Sequence, residues 1–218
     1  MMKLTAADGH EFHSFEAGNL NSPRGLVVVQ EIFGVNAHMR VVSERLASFG
    51  YRVFCPAMFD RVEPGVELGY TPEDAQKGLA LRAKIPAESI VLDIEAAAAA
   101  FGDKPVGIIG YCWGGAIAWM GATKSHHFKA AVGWYGGGIA AMKDAAPHCP
   151  VQLHFGALDA HIPLSDVDAI KAARPETEVF VYPDADHGFG CEERASFNAA
   201  ANELAELRSL AFFASHLR

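Results

Sequence analysis

Four residues of this sequence have the types and settings for acyl chemistry: Cys112, Asp159, His187 and Glu31. Cys112 lies in Gly110-Tyr111-Cys112-Trp113-Gly114-Gly115, after the apolar run Val106–Ile109 and before the apolar stretch Gly115–Met120. A strand that turns sharply into a helix at Gly-X-nucleophile-X-Gly lifts the central side chain above the sheet. The N-terminal partial charge of the helix then points at it. This setting favours a thiolate, the reactive form of cysteine. Asp159 follows the apolar run 151–155, and His187 follows 178–182. A thiol attacks a carbonyl poorly until it loses its proton. An imidazole can take that proton and later give one to the leaving group, and a carboxylate on the other ring nitrogen fixes the tautomer. A lone Gly-flanked cysteine is as readily a small core residue. Asp159 is equally a turn residue before Pro163, and Asp184 and Asp186 are alternative acids. The combination carries the reading.

The chain order nucleophile, acid, histidine is that of α/β hydrolases. Such enzymes hold the developing oxyanion with the backbone N–H of the residue after the nucleophile and a second N–H from the loop after an earlier strand. Here those residues are Trp113 and Ile32, with the Trp113 side chain as pocket wall or packing. Glu31 follows the apolar run 26–29 and so lies at the carboxyl edge of the sheet, where open α/β sheets place ligands. His126-His127, His148-Cys149 and His154 fit no Cys-X-X-Cys or His-Glu-X-X-His pattern, so no metal is expected. The protein supplies every part of the chemistry, so no cofactor is expected either.

The elements that must position these residues can be read from the patterning. Residues 2–7 and 11–16 read as a hairpin around Asp8-Gly9, and 26–29, 51–55, 106–109, 130–135, 151–155 and 178–182 as further strands. Helices are expected over 38–49, closed by Gly50, and over 71–84, opened by Thr71-Pro72 with acids in the first turn. Others are expected from Pro86 to Phe101, from the cysteine turn to about Ala122, over 163–173, and from about Arg194 to His216. Residues 56–70 read as an irregular loop. Strands alternating with helices predict one α/β domain spanning residues 1–218, with a mostly parallel central sheet and helices on both faces.

The composition fits this picture. Half of the 218 residues are hydrophobic, enough for a sizeable core. A formal charge of −8 with no dominant basic patch argues against nucleic acid or an anionic membrane as partner. No apolar run reaches the roughly 18 residues of a membrane span, and the N-terminus has no signal-peptide pattern. The four cysteines are spaced irregularly, so a cytoplasmic, reducing setting is the expectation. A monomer acting on a small-molecule lactone or ester is expected as well.

The motifs resemble those of the dienelactone hydrolase (carboxymethylenebutenolidase) family, cysteine members of the α/β-hydrolase fold. The match rests on Gln30-Glu31-Ile32-Phe33-Gly34-Val35-Asn36, Gly110–Gly115, Trp134-Tyr135-Gly136 and Ala185-Asp186-His187-Gly188-Phe189, and it runs from about residue 10 to 215. It implies hydrolysis of an enol-lactone through a thioester, with Glu31 contacting the thiol and helping to activate it. A carboxylate beside a thiol disfavours two negative charges, so it keeps the resting thiol protonated. Members of the family bind a substrate carboxylate with arginines, one shortly after the catalytic histidine. This chain has Gly188-Phe189-Gly190-Cys191 there. Arg61, Lys77, Arg82 and Arg194 are the candidate anion binders, and Phe33, Trp134, Tyr135 and Phe189 the candidate apolar lining. The departure predicts weaker dependence on a substrate carboxylate and leaves a general carboxylesterase or thioesterase as the near alternative. A thiol redox sensor using Cys112 and Cys191 is the alternative from another class.

Overall fold

The structure, a computed structural model, describes residues 1–218. Eight strands form one sheet: β1 (Met2–Thr5), β2 (Glu11–Ala17), β3 (Gly25–Val29), β4 (Arg52–Pro56), β5 (Val106–Tyr111), β6 (Phe128–Trp134), β7 (Val151–Gly156) and β8 (Glu178–Tyr182). Their spatial order is β1-β2-β4-β3-β5-β6-β7-β8. Pairings β1–β2 and β2–β4 are antiparallel, and all the others are parallel. The central strands β3, β5 and β7 are buried at every residue, as strands covered on both faces must be.

Six helices cover the sheet: α1 (Ala37–Ser48), α2 (Pro72–Arg82), α3 (Ala87–Ala99), α4 (Trp113–Lys124), α5 (Leu164–Ala173) and α6 (Ala199–His216). On β5, Ile108 packs toward Gly121 of α4 while Gly107 lies under Phe213 of α6, so α4 and α6 lie on opposite faces. Arg45 of α1 pairs with Glu206 of α6 across their shared face. The Thr71 cap forms in full, since its hydroxyl accepts from the Asp74 N–H and the Asp74 carboxylate accepts from the Thr71 N–H. The last helix departs from expectation. Residues 188–197 run through successive turns, and α6 begins only at Ala199, capped by the Asn198 side chain. Arg194 therefore stands on a turn and not on a helix.

No helix is long and apolar enough to cross a membrane. His154, in β7, is buried and hydrogen-bonded to Tyr182, Gln152 and Ser209. Burial holds its imidazole down at about 3, against an ordinary 6.5, with help from the Arg208 charge. The native state thus keeps His154 neutral where an unfolded chain would protonate it. Its contribution to stability is present above pH 6.5 and is lost as pH falls from there toward 3. The slope should reach at most about 1.4 kcal/mol per pH unit. Urea midpoints measured from pH 7 to 4 should fall less steeply in His154→Gln, and parallel curves would remove His154 from the account.

Candidate active site

Two non-glycine residues have positive φ, Cys112 at 55° and Tyr135 at 37°, and both stand at this site. Cys112 has φ 55° and ψ −116°, between the last residue of β5 and the first of α4. Such a turn closes only if strand and helix approach without side chains between them. A Cβ on Gly110 would collide with the Gly114 carbonyl, so a glycine is needed there. The result is a half-buried thiol at the head of α4.

His187 comes to this thiol from the loop after β8, and Asp159 from the loop after β7. His187 Nε2 lies 3.2 Å from Cys112 Sγ, and His187 Nδ1 lies 2.7 Å from Asp159 Oδ2. The other Asp159 oxygen accepts from the backbone N–H of His161 and Ile162, which fixes the carboxylate. Burial opposes a charge on His187. The Asp159 carboxylate and the Cys112 sulfur outweigh it and hold the imidazole up at about 10. The alternative acids stand elsewhere: Asp186 accepts from the His187 backbone N–H, not its ring.

The thiol faces a cavity of about 430 Å³, whose wall includes Ile32, Phe33, Trp113, His161, Arg82 and Arg194. The backbone N–H groups of Ile32 and Trp113 have no acceptor within the chain. Two free donors beside a nucleophile are what an oxyanion needs. Gln30 sets the direction of one of them. Its side-chain amide donates to the Glu31 carbonyl and accepts from the Met58 N–H, so the Glu31–Ile32 peptide is held from its oxygen end. Sequence reasoning had quoted Gln30 only as part of a motif.

Helix α2 presses on the same peptide loop from outside. Ala75, Leu79 and Arg82 line the cavity at helical spacing, and Gly78 lies on that face. A Cβ on Gly78 would collide with the Ile32 carbonyl oxygen. Gly78→Ala must therefore move α2 or push the Ile32–Phe33 peptide, and with it the neighbouring peptide that carries the Ile32 N–H, a strain of about 1–3 kcal/mol. We expect kcat/KM to fall roughly tenfold while the melting temperature changes by only a few degrees. An unchanged kcat/KM would mean that the peptide is held without the helix.

Glu31 is fully buried beside this centre. Its burial pushes the carboxyl up, while the charges of Arg194 and His187 and the Tyr70 hydroxyl pull it back. Arg194 Nη1 lies 3.6 Å from Glu31 Oε1, an ion pair too long for a hydrogen bond, and Tyr70 donates to Oε2 at 3.4 Å. The thiol is hydrogen-bonded to His187 and has no hydrogen bond to Glu31. The structure thus shows the Cys112 thiol turned to His187, with Glu31 turned to Arg194.

Several expected lining residues are not in the wall. Trp134, Tyr135 and Phe189 are at most 2% exposed and pack beneath the site. Trp134 ends β6 with its indole N–H on Ser209 of α6 and its ring stacked on Phe189, and Tyr135 sets its ring edge-on to His187. They support the histidine loop from the core side. Among the candidate cations, Arg61 is tied to Asp8 and Asp93, and Lys77 to Glu63. Arg82 and Arg194 do line the cavity, so the gap after His187 is filled in space by an arginine seven residues along. Phe33 lines it as expected. His161, which sequence reasoning missed, stands edge-on to His187 at 5.4 Å between ring centres. Its only sequence signal is its place two residues after Asp159. Cys191 is buried and off the wall, and all four cysteines are free thiols.

Comparison with known proteins places the chain in a family. Residues 13–217 match the model of the dienelactone hydrolase family. Over 227 residues the chain is 33% identical to the carboxymethylenebutenolidase of Pseudomonas putida, covering 98% of this chain and 95% of that one. A Synechocystis sp. protein assigned the same activity is 39% identical over 196 residues, 81% of this chain and 79% of its own. Among solved structures, a Klebsiella pneumoniae protein assigned as a dienelactone hydrolase superposes with a TM-score of 0.86 at 30% identity, covering 97% of each chain. A dienelactone hydrolase-like promiscuous phosphotriesterase from metagenomic libraries, at 18% identity and a TM-score of 0.77 over 100% of this chain and 98% of that one, shares the fold.

Proposed function

Because the chain belongs to the dienelactone hydrolase family and is a hydrolase of ester bonds, we propose that it opens small lactones and esters through a thioester on Cys112. The observation that carries this reading is the unbroken line Asp159–His187–Cys112, facing a cavity with two free backbone donors. His187 takes the thiol proton and the sulfur attacks the carbonyl carbon. The oxyanion is held by the N–H groups of Ile32 and Trp113. The carbon–oxygen bond then breaks, and His187 returns its proton to the departing oxygen, which in a lactone stays tethered to the acyl group. Water, deprotonated by His187, attacks the thioester and releases the thiol. Glu31 modulates this thiol from behind, where its charge bears on His187 and Arg194 together. The site is complete within one chain, which supports a working monomer.

The substrate we propose carries an anionic group. Phe33, Ile32, Trp113, Ala75 and Leu79 give the cavity an apolar side, and Arg82 and Arg194 give it a cationic one. A guanidinium grips a carboxylate with two parallel hydrogen bonds, which lysine cannot copy. Hydrolysis of a dienelactone and of its methyl ester tests this. The free acid should be preferred, and Arg82→Met should reduce its kcat/KM by about tenfold or more while leaving the methyl ester within about twofold. Equal losses for both compounds would make Arg82 a structural residue, and no preference for the acid would restore the general carboxylesterase.

A further inference from the structure

We infer that Glu31, His38 and Cys191 form a site for a zinc-class divalent metal ion, set in the protein interior beside the catalytic thiol. The three residues come from separate segments: the end of β3, the first turn of α1 and the turns after β8. All three are buried, and their ligand atoms lie within 4.8 Å of one another. Two polar atoms of these residues lack a hydrogen bond: His38 Nε2, and Glu31 Oε1, which has only the 3.6 Å ion pair to Arg194. Buried polar atoms are nearly always satisfied, so two such atoms on residues grouped this closely leave room for a further neighbour.

The donor set selects the ion. An imidazole nitrogen, a thiol sulfur and a carboxylate oxygen suit Zn²⁺ or Co²⁺, whereas Mg²⁺ and Ca²⁺ want oxygen alone. Around a tetrahedral zinc, ligands at about 2.0–2.3 Å stand roughly 3.5 Å apart. The cluster must therefore tighten by about 1 Å, within reach of rotations of the Glu31 and Cys191 side chains. Tyr70, whose hydroxyl already donates to Glu31, or a water completes the four. On binding, the S–H bond of Cys191 gives way to a sulfur–metal bond, the proton leaves to solvent, and nothing is oxidised or reduced. Two anionic ligands balance the divalent ion. The one cation in the way is Arg194, 3.6 Å from Glu31 Oε1, and its side chain is 24% exposed and able to turn into the cavity.

A bound ion holds Glu31 as a ligand and releases Arg194, so it changes the surroundings of Cys112 without touching the sulfur. That consequence rests on the role given to Glu31 above; the binding does not.

The test therefore reads binding without turnover. Cys112→Ser removes the competing nucleophile, and Cys149→Ser in the same protein removes the other accessible thiol. Co²⁺ titrated into this chain under a non-thiol reductant should bind at one equivalent. It should give the near-ultraviolet thiolate charge-transfer absorption and the visible bands of a tetrahedral ion, and Zn²⁺ should abolish both. Adding Cys191→Ser should remove the charge-transfer absorption, and adding His38→Gln instead should weaken binding by at least about tenfold. Charge-transfer absorption that survives Cys191→Ser, or no saturable binding below millimolar Co²⁺, overturns the proposal and leaves a water-filled cluster. If Cys191→Ser does not fold, the His38→Gln arm decides alone, and unchanged affinity there overturns the proposal equally.

Discussion

Cys112→Ala is expected to lower turnover of every lactone and ester substrate by about 10⁴–10⁶-fold, the scale seen when a catalytic nucleophile is removed. The loss should be of kcat, because in the proposed thioester route the sulfur forms the acyl bond and contributes little to holding the substrate. The fold should survive. Cys112 is half-buried, so no enclosed void is left, and the turn is imposed by the glycines around it and not by the sulfur. Melting curves of the two proteins should superpose within a few degrees while p-nitrophenyl ester hydrolysis disappears. Cys112→Ser should keep a trace of activity, because His187 then faces a hydroxyl that yields its proton less readily than a thiol. An alanine variant that works at the parental rate would falsify the thioester reading altogether.

Asp159→Asn should cost about 10³–10⁴-fold in kcat, close to the loss known for such a change in a comparable triad. The reason is geometric. Asp159 Oδ1 anchors the turn through the N–H groups of His161 and Ile162, and an amide oxygen can keep those bonds. The atom facing His187 Nδ1 then becomes an NH₂ group, which can only donate. Nδ1 must accept, the ring proton moves to Nε2, and the imidazole offers the thiol a proton where it should offer a lone pair. The variant also loses the carboxylate that helps hold His187 up at about 10, so its imidazole should titrate nearer 6.5. Alkylation of Cys112 by iodoacetamide at neutral pH should slow in parallel. Asp186→Asn is the control, because Asp186 holds only backbone at His187. Should Asp186→Asn prove the more damaging of the two, the acid of the triad has been misassigned.

The parts of the site that could be read from the sequence are those tied to strand ends. Cys112, Asp159 and His187 each follow an apolar run that can only be a covered strand, and parallel strands deliver their trailing loops to one edge. Glu31 and Ile32 were legible for the same reason. What could not be read is where a side chain goes once its loop turns. Trp134 and Tyr135 end a strand at the edge that carries the site and Phe189 lies two residues past His187, yet the backbone turns at Tyr135 and Gly188 accompany rings that pack into the core. Arg194 was expected at a helix start, but turns over 188–197 deliver it to the cavity. Gly78 carries no sequence signal of its role, since a close approach to Ile32 leaves no trace in composition. The grouping of residues 31, 38 and 191 needs three segments packed together, and no spacing encodes it.

The position of Arg194 has a consequence for how this protein can change. His187 and Arg194, the proposed proton carrier and the proposed anion binder, sit on one loop but seven residues apart, joined by turns that carry no sheet pairing. Insertions, deletions or reversals of charge over 192–196 should therefore redraw the appetite of the enzyme while His187 stays anchored by Asp159 on one side and Tyr135 on the other, and Asn198 keeps its bonds to Asp184 and Phe189. For library design this separates two variables that are fused when the arginine sits immediately beside the histidine: randomise the outer turns, leave the inner ones, and selectivity becomes adjustable without retuning the chemistry.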